Sequence, residues 1–202
     1  MKLIGSLTSP YVRKIRVLLL EKGIPFEFVN DPPWEPGNHV ADFNPLGKVP
    51  ALVADSGEIF FDSPIIADYL DTLGVYAPEL PTDALEALRI KQLEALADGI
   101  TDAGVVWLLE TRRAAEKQDA GVIDRHRAKV ERGLNAFEAC LQGKEWAHGG
   151  AFSRADIAIA CCVGFMDFRF AAHDWRSSRP ALAAHAARVL ARPSFEQTIP
   201  VA

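Results

Sequence analysis

The stretch KLIGSLTSPYVRKIRVLLLEKG, residues 2–23, reads as a complete hand-over from strand to helix. Residues 2–6 form a short apolar run suited to a buried strand, residues 10–22 have helical periodicity, and Gly23 stands where a helix stops. Between them lies Ser9-Pro10. Serine is a favoured N-cap, and proline fits the first helical turn because it has no N–H to lose there. As a cap alone, Ser9 contributes about 1 kcal/mol of stability. A helix N-terminus also offers unpaired N–H groups and positive potential to an anion. A hydroxyl carries one donor and two acceptor lone pairs, so Ser9 can accept from the helix and still donate outward. The two roles are compatible.

Downstream the alternation continues. PFEFVN, residues 25–30, has the period-two character of a second strand, and the turn-rich DPPWEPGN leaves room for a short irregular helix within residues 37–43. VPALVAD and EIFF are two short strands joined through Ser56-Gly57, and residues 64–72 form a helix with Ile65, Ile66, Tyr69 and Leu70 on its buried side. The order is βαβ, an irregular helix, then ββα. Gly74, Pro78 and Pro81 mark a linker over residues 74–82.

Everything beyond it reads as helix. Residues 83–117 form one long helix uninterrupted by proline, with Leu85, Leu88, Gln92 and Leu96 as a stripe. Val130, Leu134, Phe137 and Leu141 give three-four spacing in the next. A third, residues 154–169, is apolar nearly all round and belongs at the centre, and residues 180–190 form a fourth. In FSRADIAIA, Ser153 and Asp156 have capping-box spacing, with Phe152 and Ile157 placed as a hydrophobic staple. Their expected role is structural. The fold class is therefore α/β plus all-α, with domains at 1–73 and 83–202.

Composition bounds the function. The 202 residues are 49% hydrophobic and 24% charged, an ordinary globular balance. Lys plus Arg is 22 against 27 for Asp plus Glu, and the net −5 without a basic stripe argues against nucleic acid as the main partner. No run suits a membrane span, and the N-terminus lacks the pattern of a signal peptide. Cys140, Cys161 and Cys162 are odd in number and without metal-ligand spacing, so a reduced, cytoplasmic protein with no metal is expected.

Two further motifs carry chemistry. Ser63-Pro64 repeats the helix-start pattern behind Asp62. It reads as a second capped helix, or as a receptor for an amino-acid head group: Ser63 and the free N–H groups take a carboxylate while Asp62 pairs with the ammonium. NPLGKVPAL, residues 44–52, has Pro50 where only a strand's start or edge tolerates it. The Val49–Pro50 bond is cis or trans; sequence does not separate the two. If the chain turns outward there, the Val49 backbone can pair with an extended peptide, and Lys48 offers a cation to a carboxylate.

TSPYVRK, NPLGKVPAL, DSPII and FSRADIAIA together resemble the cytosolic glutathione transferase superfamily, over essentially the whole chain and closest to bacterial serine-type members. The resemblance implies a thioredoxin-like N-terminal domain, an all-helical C-terminal domain and a homodimer. It implies that Ser9 contacts the glutathione sulfur as the catalytic residue. Val49, before a cis Pro50, would pair with the cysteinyl backbone, Asp62 and Ser63 would hold the γ-glutamyl group, and Lys48 would contact the tripeptide. Tyr11 is a rival for the sulfur, and Trp34 and His39 are either glycine-end contacts or loop surface. The absence of any cysteine before Cys140 disfavours cysteine-type thiol-disulfide chemistry. The implied function is a detoxifying transferase joining glutathione, as co-substrate, to a small electrophile held near residues 106–113 and 165–169. A non-catalytic protein-interaction or stress-response module of the same superfamily is the alternative.

Overall fold

A computed structural model describes residues 1–74 and 80–201. The chain forms two compact units, Met1–Pro81 together with Ala191–Ala202, and Thr82–Leu190. The second unit thus stops at Leu190, whereas a helical domain over 83–202 was expected; residues 191–201 pack with the first unit instead. Residues 75–79 of the expected linker lie outside the described residues.

In the first unit, β1 (Lys2–Gly5) lies at the centre of a four-stranded sheet of order β2-β1-β3-β4. It runs parallel to β2 (Glu27–Asn30) and antiparallel to β3 (Ala51–Val53), which pairs antiparallel with β4 (Ile59–Phe60). The parallel pair requires a crossover, supplied by α1 (Pro10–Lys22). Val12, Ile15, Leu18 and Leu19 of α1 are buried against it. Gly5 permits the close approach, since a Cβ there would meet Val12 Cγ1 at 2.6 Å. At its far end α1 stops at Gly23 (φ 67°), with Ile24 N–H bonded to Leu19 O at 2.9 Å, closing the helix as a Schellman motif. The short α2 (Val40–Phe43) precedes β3, and α3 (Ser63–Thr72) follows β4. Lys22 Nζ reaches Asp71 Oδ1 at 2.7 Å and ties α1 to α3. This is the thioredoxin-like βαβ-ββα pattern expected.

The basic residues near the start of α1 face the C-terminal segment. Arg13 donates to Phe195 O at 3.2 Å and to Thr198 Oγ1 at 3.4 Å, and its guanidinium lies 5.3 Å from the Phe195 ring centroid. Arg16 donates to Gln197 O and lies over Phe28. Arg192 makes two bonds to the Glu21 carboxylate at 2.8 and 2.7 Å, which also accepts from Ser194 Oγ. These contacts fix the short α8 (Pro193–Glu196) on α1, an element without a signal strong enough to expect from sequence.

The second unit is all helical: α4 (Ala84–Thr111), α5 (Ala120–Leu141), α6 (Arg154–Arg169) and α7 (Pro180–Leu190). α4 ends six residues before the expected Lys117. Beyond Arg112 the chain turns, Gln118 Nε2 takes the carbonyls of Thr111 and Arg113, and Asp119 caps α5 through Gly121 and Val122 N–H. A helix with good propensity stops here because side chains satisfy the end groups without a proline. The buried face of α4 is Ile90, Glu94, Ala97, Ile100, Gly104 and Trp107, so the Leu85–Leu88 stripe points outward instead. Gly133 and Gly104 let α5 and α6 close on α4: a Cβ at Gly133 would meet Ile100 Cγ1 at 2.3 Å, and one at Gly104 the Phe165 ring at 2.9 Å. The α6 helix is buried along nearly its whole length, as its composition requires.

Candidate functional site

The strand register brings the motif residues to one end of the sheet. Ile4 pairs with Ala51 and Leu52 with Phe60. The C-terminal end of β1, the N-terminal end of β3 and the C-terminal end of β4 therefore coincide. From these three ends leave Ser9, Val49-Pro50 and Asp62-Ser63. Two helices, α1 and α3, also begin there, so both present the positive end of their peptide dipoles to the same edge.

Ser9 is the N-cap of α1, in extended backbone (φ −80°, ψ 124°), and its Oγ accepts from Val12 N–H at 3.3 Å. One lone pair serves the helix and the O–H proton stays available. Upstream, Ser6 and Thr8 hydroxyls lie 3.1 Å apart and Ser9 N–H bonds to Ser6 O, which shapes the loop into the helix. Tyr11 is half-buried one residue into α1.

At the second motif the cap is Asp62, with Ser63 the first residue of α3. This differs from a reading in which Ser63 caps. Asp62 is exposed and its side chain makes no capping hydrogen bond, so its carboxylate is directed to no helix N–H. Ser63 is buried. Its backbone N–H and that of Ile65 belong to the first turn, which has no intrahelical acceptors, while Pro64 has no N–H at all.

The Val49–Pro50 bond is cis; a second cis bond, Phe61–Asp62, precedes α3. Pro50 is buried and immediately precedes β3, Val49 is half-buried, and Lys48 is exposed. The loop is held by Asn44, a residue not singled out from sequence: its Nδ2 donates to Lys48 O at 2.8 Å and its Oδ1 accepts from Leu46 N–H at 3.0 Å. The Asn-Pro dipeptide carried the signal, since asparagine side chains bond the backbone two residues on in turns. Trp34 and His39 are both exposed; His39 N–H bonds to Asp31, and among the described residues neither ring has a hydrogen-bonded partner.

Ser153 and Asp156 belong to the second unit and are buried. Ser153 N–H and Oγ both reach Asp156 Oδ2, at 2.9 and 3.0 Å. Asp156 Oδ1 accepts from Ala147 N–H and meets His185 Nε2, each at 2.8 Å. This is a structural knot. Burial pushes the Cys162 thiol up to about 12, the mark of a buried, inert cysteine. Among the described residues, no group of three or more His, Cys, Asp or Glu has the arrangement of a metal site, and no helix is long and apolar enough to cross a membrane.

Comparison with known proteins matches this architecture at both ends of the chain. The family model for the glutathione S-transferase N-terminal domain matches residues 8–73 and that for the C-terminal domain residues 120–188. The chain is 48% identical over 200 residues to the uncharacterized GST-like protein YibF of Escherichia coli, covering 99% of this chain and 98% of the other. It superposes with TM-score 0.95 and 42% identity on a glutathione S-transferase from Methylobacillus flagellatus solved with glutathione bound, covering 99% of each chain. A glutathione transferase family member from Pseudomonas fluorescens, solved with S-(propanoic acid)-glutathione, gives TM-score 0.85 at 36% identity, over 100% of this chain and 97% of that one. The chain is a member of the cytosolic glutathione transferase superfamily.

Proposed function

We propose that the protein is a serine-type glutathione transferase that binds glutathione at the shared edge of β1, β3 and β4, ionises its thiol and joins it to an electrophilic carbon. One observation carries this reading: the register sets Ser9, the Val49 backbone and the Asp62-Ser63 pair on one edge with two helix N-termini. Relatives solved with glutathione or a glutathione thioether bound support it.

Each group has a task set by its chemistry. The γ-glutamyl carboxylate is received by Ser63 and the first-turn N–H groups of α3, and the ammonium by Asp62, whose carboxylate is not spent on a cap. The Val49 backbone pairs with the cysteinyl residue, and Lys48 supplies a cation to the tripeptide. Ser9 donates its free proton to the sulfur.

A free thiol has a pKa of about 8.5, so only a few per cent is thiolate at neutral pH. A hydrogen bond to a charged acceptor is worth about 1.5–3 kcal/mol, or about 1–2 pKa units; the upper end of that range, with the N-terminus of α1 behind it, ionises most of the bound thiol. The thiol proton leaves to solvent. The sulfur then bonds to the electrophilic carbon, whose leaving group departs with its electron pair. Ser9 is not the base, since its own proton is held far more tightly than that of the thiol. The active form is a cytoplasmic homodimer, as the family implies.

The test is calorimetric titration with glutathione, followed by turnover with a chlorodinitrobenzene. Asp62→Ala should weaken glutathione binding by about 2 kcal/mol or more while leaving stability nearly unchanged. Unaltered affinity in that variant would remove the head-group assignment. Binding without any turnover would favour the non-catalytic alternative.

A further inference from the structure

The C-terminal ends of α4 and α6 lie side by side. Glu94 meets Arg154 at 2.5 Å, Gly104 abuts Phe165, and Trp107 stacks on Phe170 with ring centroids 4.1 Å apart. Position advances in the same sense along both helices, so they run parallel. Arg112, the C-cap of α4, is thereby brought beside Arg169, the last residue of α6.

The neighbouring cations are neutralised. Arg113 is held by Glu110 at 2.9 Å and Arg176 by Asp167 at 2.5 Å. Among the described residues, neither Arg112 nor Arg169 has a carboxylate within ion-pair distance; Arg169 lies over the Phe168 ring, 4.2 Å from its centroid. Burial, and then the Arg112 charge, push the Arg169 guanidinium's pKa down, so the two side chains repel. A cation at the end of a helix is favoured by its dipole, which accounts for one arginine on each helix. It does not account for two guanidiniums set together without a counter-charge. An anion accepted by both would relieve the repulsion, and guanidinium forks match carboxylate geometry. Apolar surface adjoins them, because Leu109, 41% exposed, precedes Arg112 by three residues on the same helix face.

We propose that Arg112 and Arg169 form an anion subsite for the acid group of a carboxylate-bearing electrophile, whose apolar body rests on Leu109. The preferred substrates are then aromatic or unsaturated organic acids in place of neutral electrophiles. As a substrate assignment this rests on the transferase reading; as a binding site it does not.

Two unreactive probes of matched shape, dinitrobenzoate and dinitrobenzene, separate the charge from the ring. Quenching of tryptophan fluorescence in the whole protein reads their binding. Dinitrobenzoate should bind about tenfold more tightly, the value of one charge-assisted contact, and the preference should shrink as salt rises to about 0.5 M. Arg112→Gln and Arg169→Gln should each lose about tenfold in dinitrobenzoate affinity, with circular dichroism confirming the fold. Equal binding of the two probes to the wild type, or a preference that survives both substitutions, would overturn the subsite; the wild-type salt series decides even if a variant misfolds. A chlorodinitrobenzoate and a chlorodinitrobenzene then test the reaction. Arginine-dependent acid binding with neither halide conjugated keeps the subsite and removes the transferase reading. Conjugation of both halides at equal kcat/KM, with no acid preference in binding, keeps the transferase and removes the subsite.

Discussion

Asp156 and His185 meet at 2.8 Å inside the helical unit, both of them buried to within 1% of completely. The contact joins the first turn of α6 to the middle of α7, while the second carboxylate oxygen of Asp156 holds the Ser153 end of the same turn. One side chain therefore fixes the loop at Ala147, the cap of α6 and the seat of α7.

Asp156→Ala should accordingly cost more than a lost cap. It strands the buried N–H groups of Ala147 and Ser153 and leaves His185 without its partner. The expected loss is about 3 kcal/mol or more, with Asp156→Asn intermediate. Urea unfolding followed by circular dichroism gives the number. A loss below about 1 kcal/mol, the value of an ordinary cap, would mean the knot adds nothing.

Ser9→Ala should raise the pKa of bound glutathione by about 1–2 units and lower turnover at neutral pH by about tenfold, with a modest effect on affinity. Thiolate absorbance of the complex against pH reads the shift. Because Ser9 also accepts from Val12 N–H, stability should fall by about 1 kcal/mol as well. A titration curve that overlays the wild type, with only the stability change, would leave Ser9 as a cap and direct attention to Thr8 or Tyr11.

The clasp between Glu21 and the C-terminal segment should be pH-dependent. The Arg192 guanidinium, aided by the Ser194 hydroxyl and opposed by burial, holds the Glu21 carboxyl below its ordinary 4.5. A carboxyl depressed by folding adds stability above its unfolded pKa and loses it as pH falls through the folded one. Arg192→Ala should therefore destabilise by about 1 kcal/mol at pH values near 7. The gap from wild type should close as pH falls below about 4. Thermal melts across that range check it; a gap that stays constant would show that Arg192 acts by packing.

Association is expected to run through apolar surface left outside each unit. Leu85 and Leu88 of α4 are 57% and 61% exposed, three residues apart on one helix face. Sedimentation equilibrium should give twice the 22.1 kDa chain mass, and Leu88→Glu should shift it toward the monomer. A wild type that stays monomeric at micromolar concentration would contradict the dimer.

Much of this is legible in the sequence, wherever the signal lies within one turn of the chain. Ser9-Pro10 and Gly23 bound α1, Ser153 and Asp156 begin α6, and the apolar runs set the order of strands and helices. Capping, chain reversal and periodicity act between residues a few positions apart, so the sequence alone carries them.

Tertiary structure decided whatever depended on a distant partner. The outward turn of the Leu85–Leu88 stripe follows from which face of α4 meets α5 and α6, and helical periodicity marks a stripe without saying what covers it. Arg13 and Arg16 of α1 owe their places to a distant segment of the chain; Arg13 and Thr198 stand 185 positions apart. Asp156 looks like a cap until Ala147 and His185 arrive from other elements, and Arg112 becomes a neighbour of Arg169 only because α4 and α6 run parallel. A local pattern fixes the conformation of its own few residues; which charges meet, and which carboxylate is spent, is set by packing between elements that the chain separates.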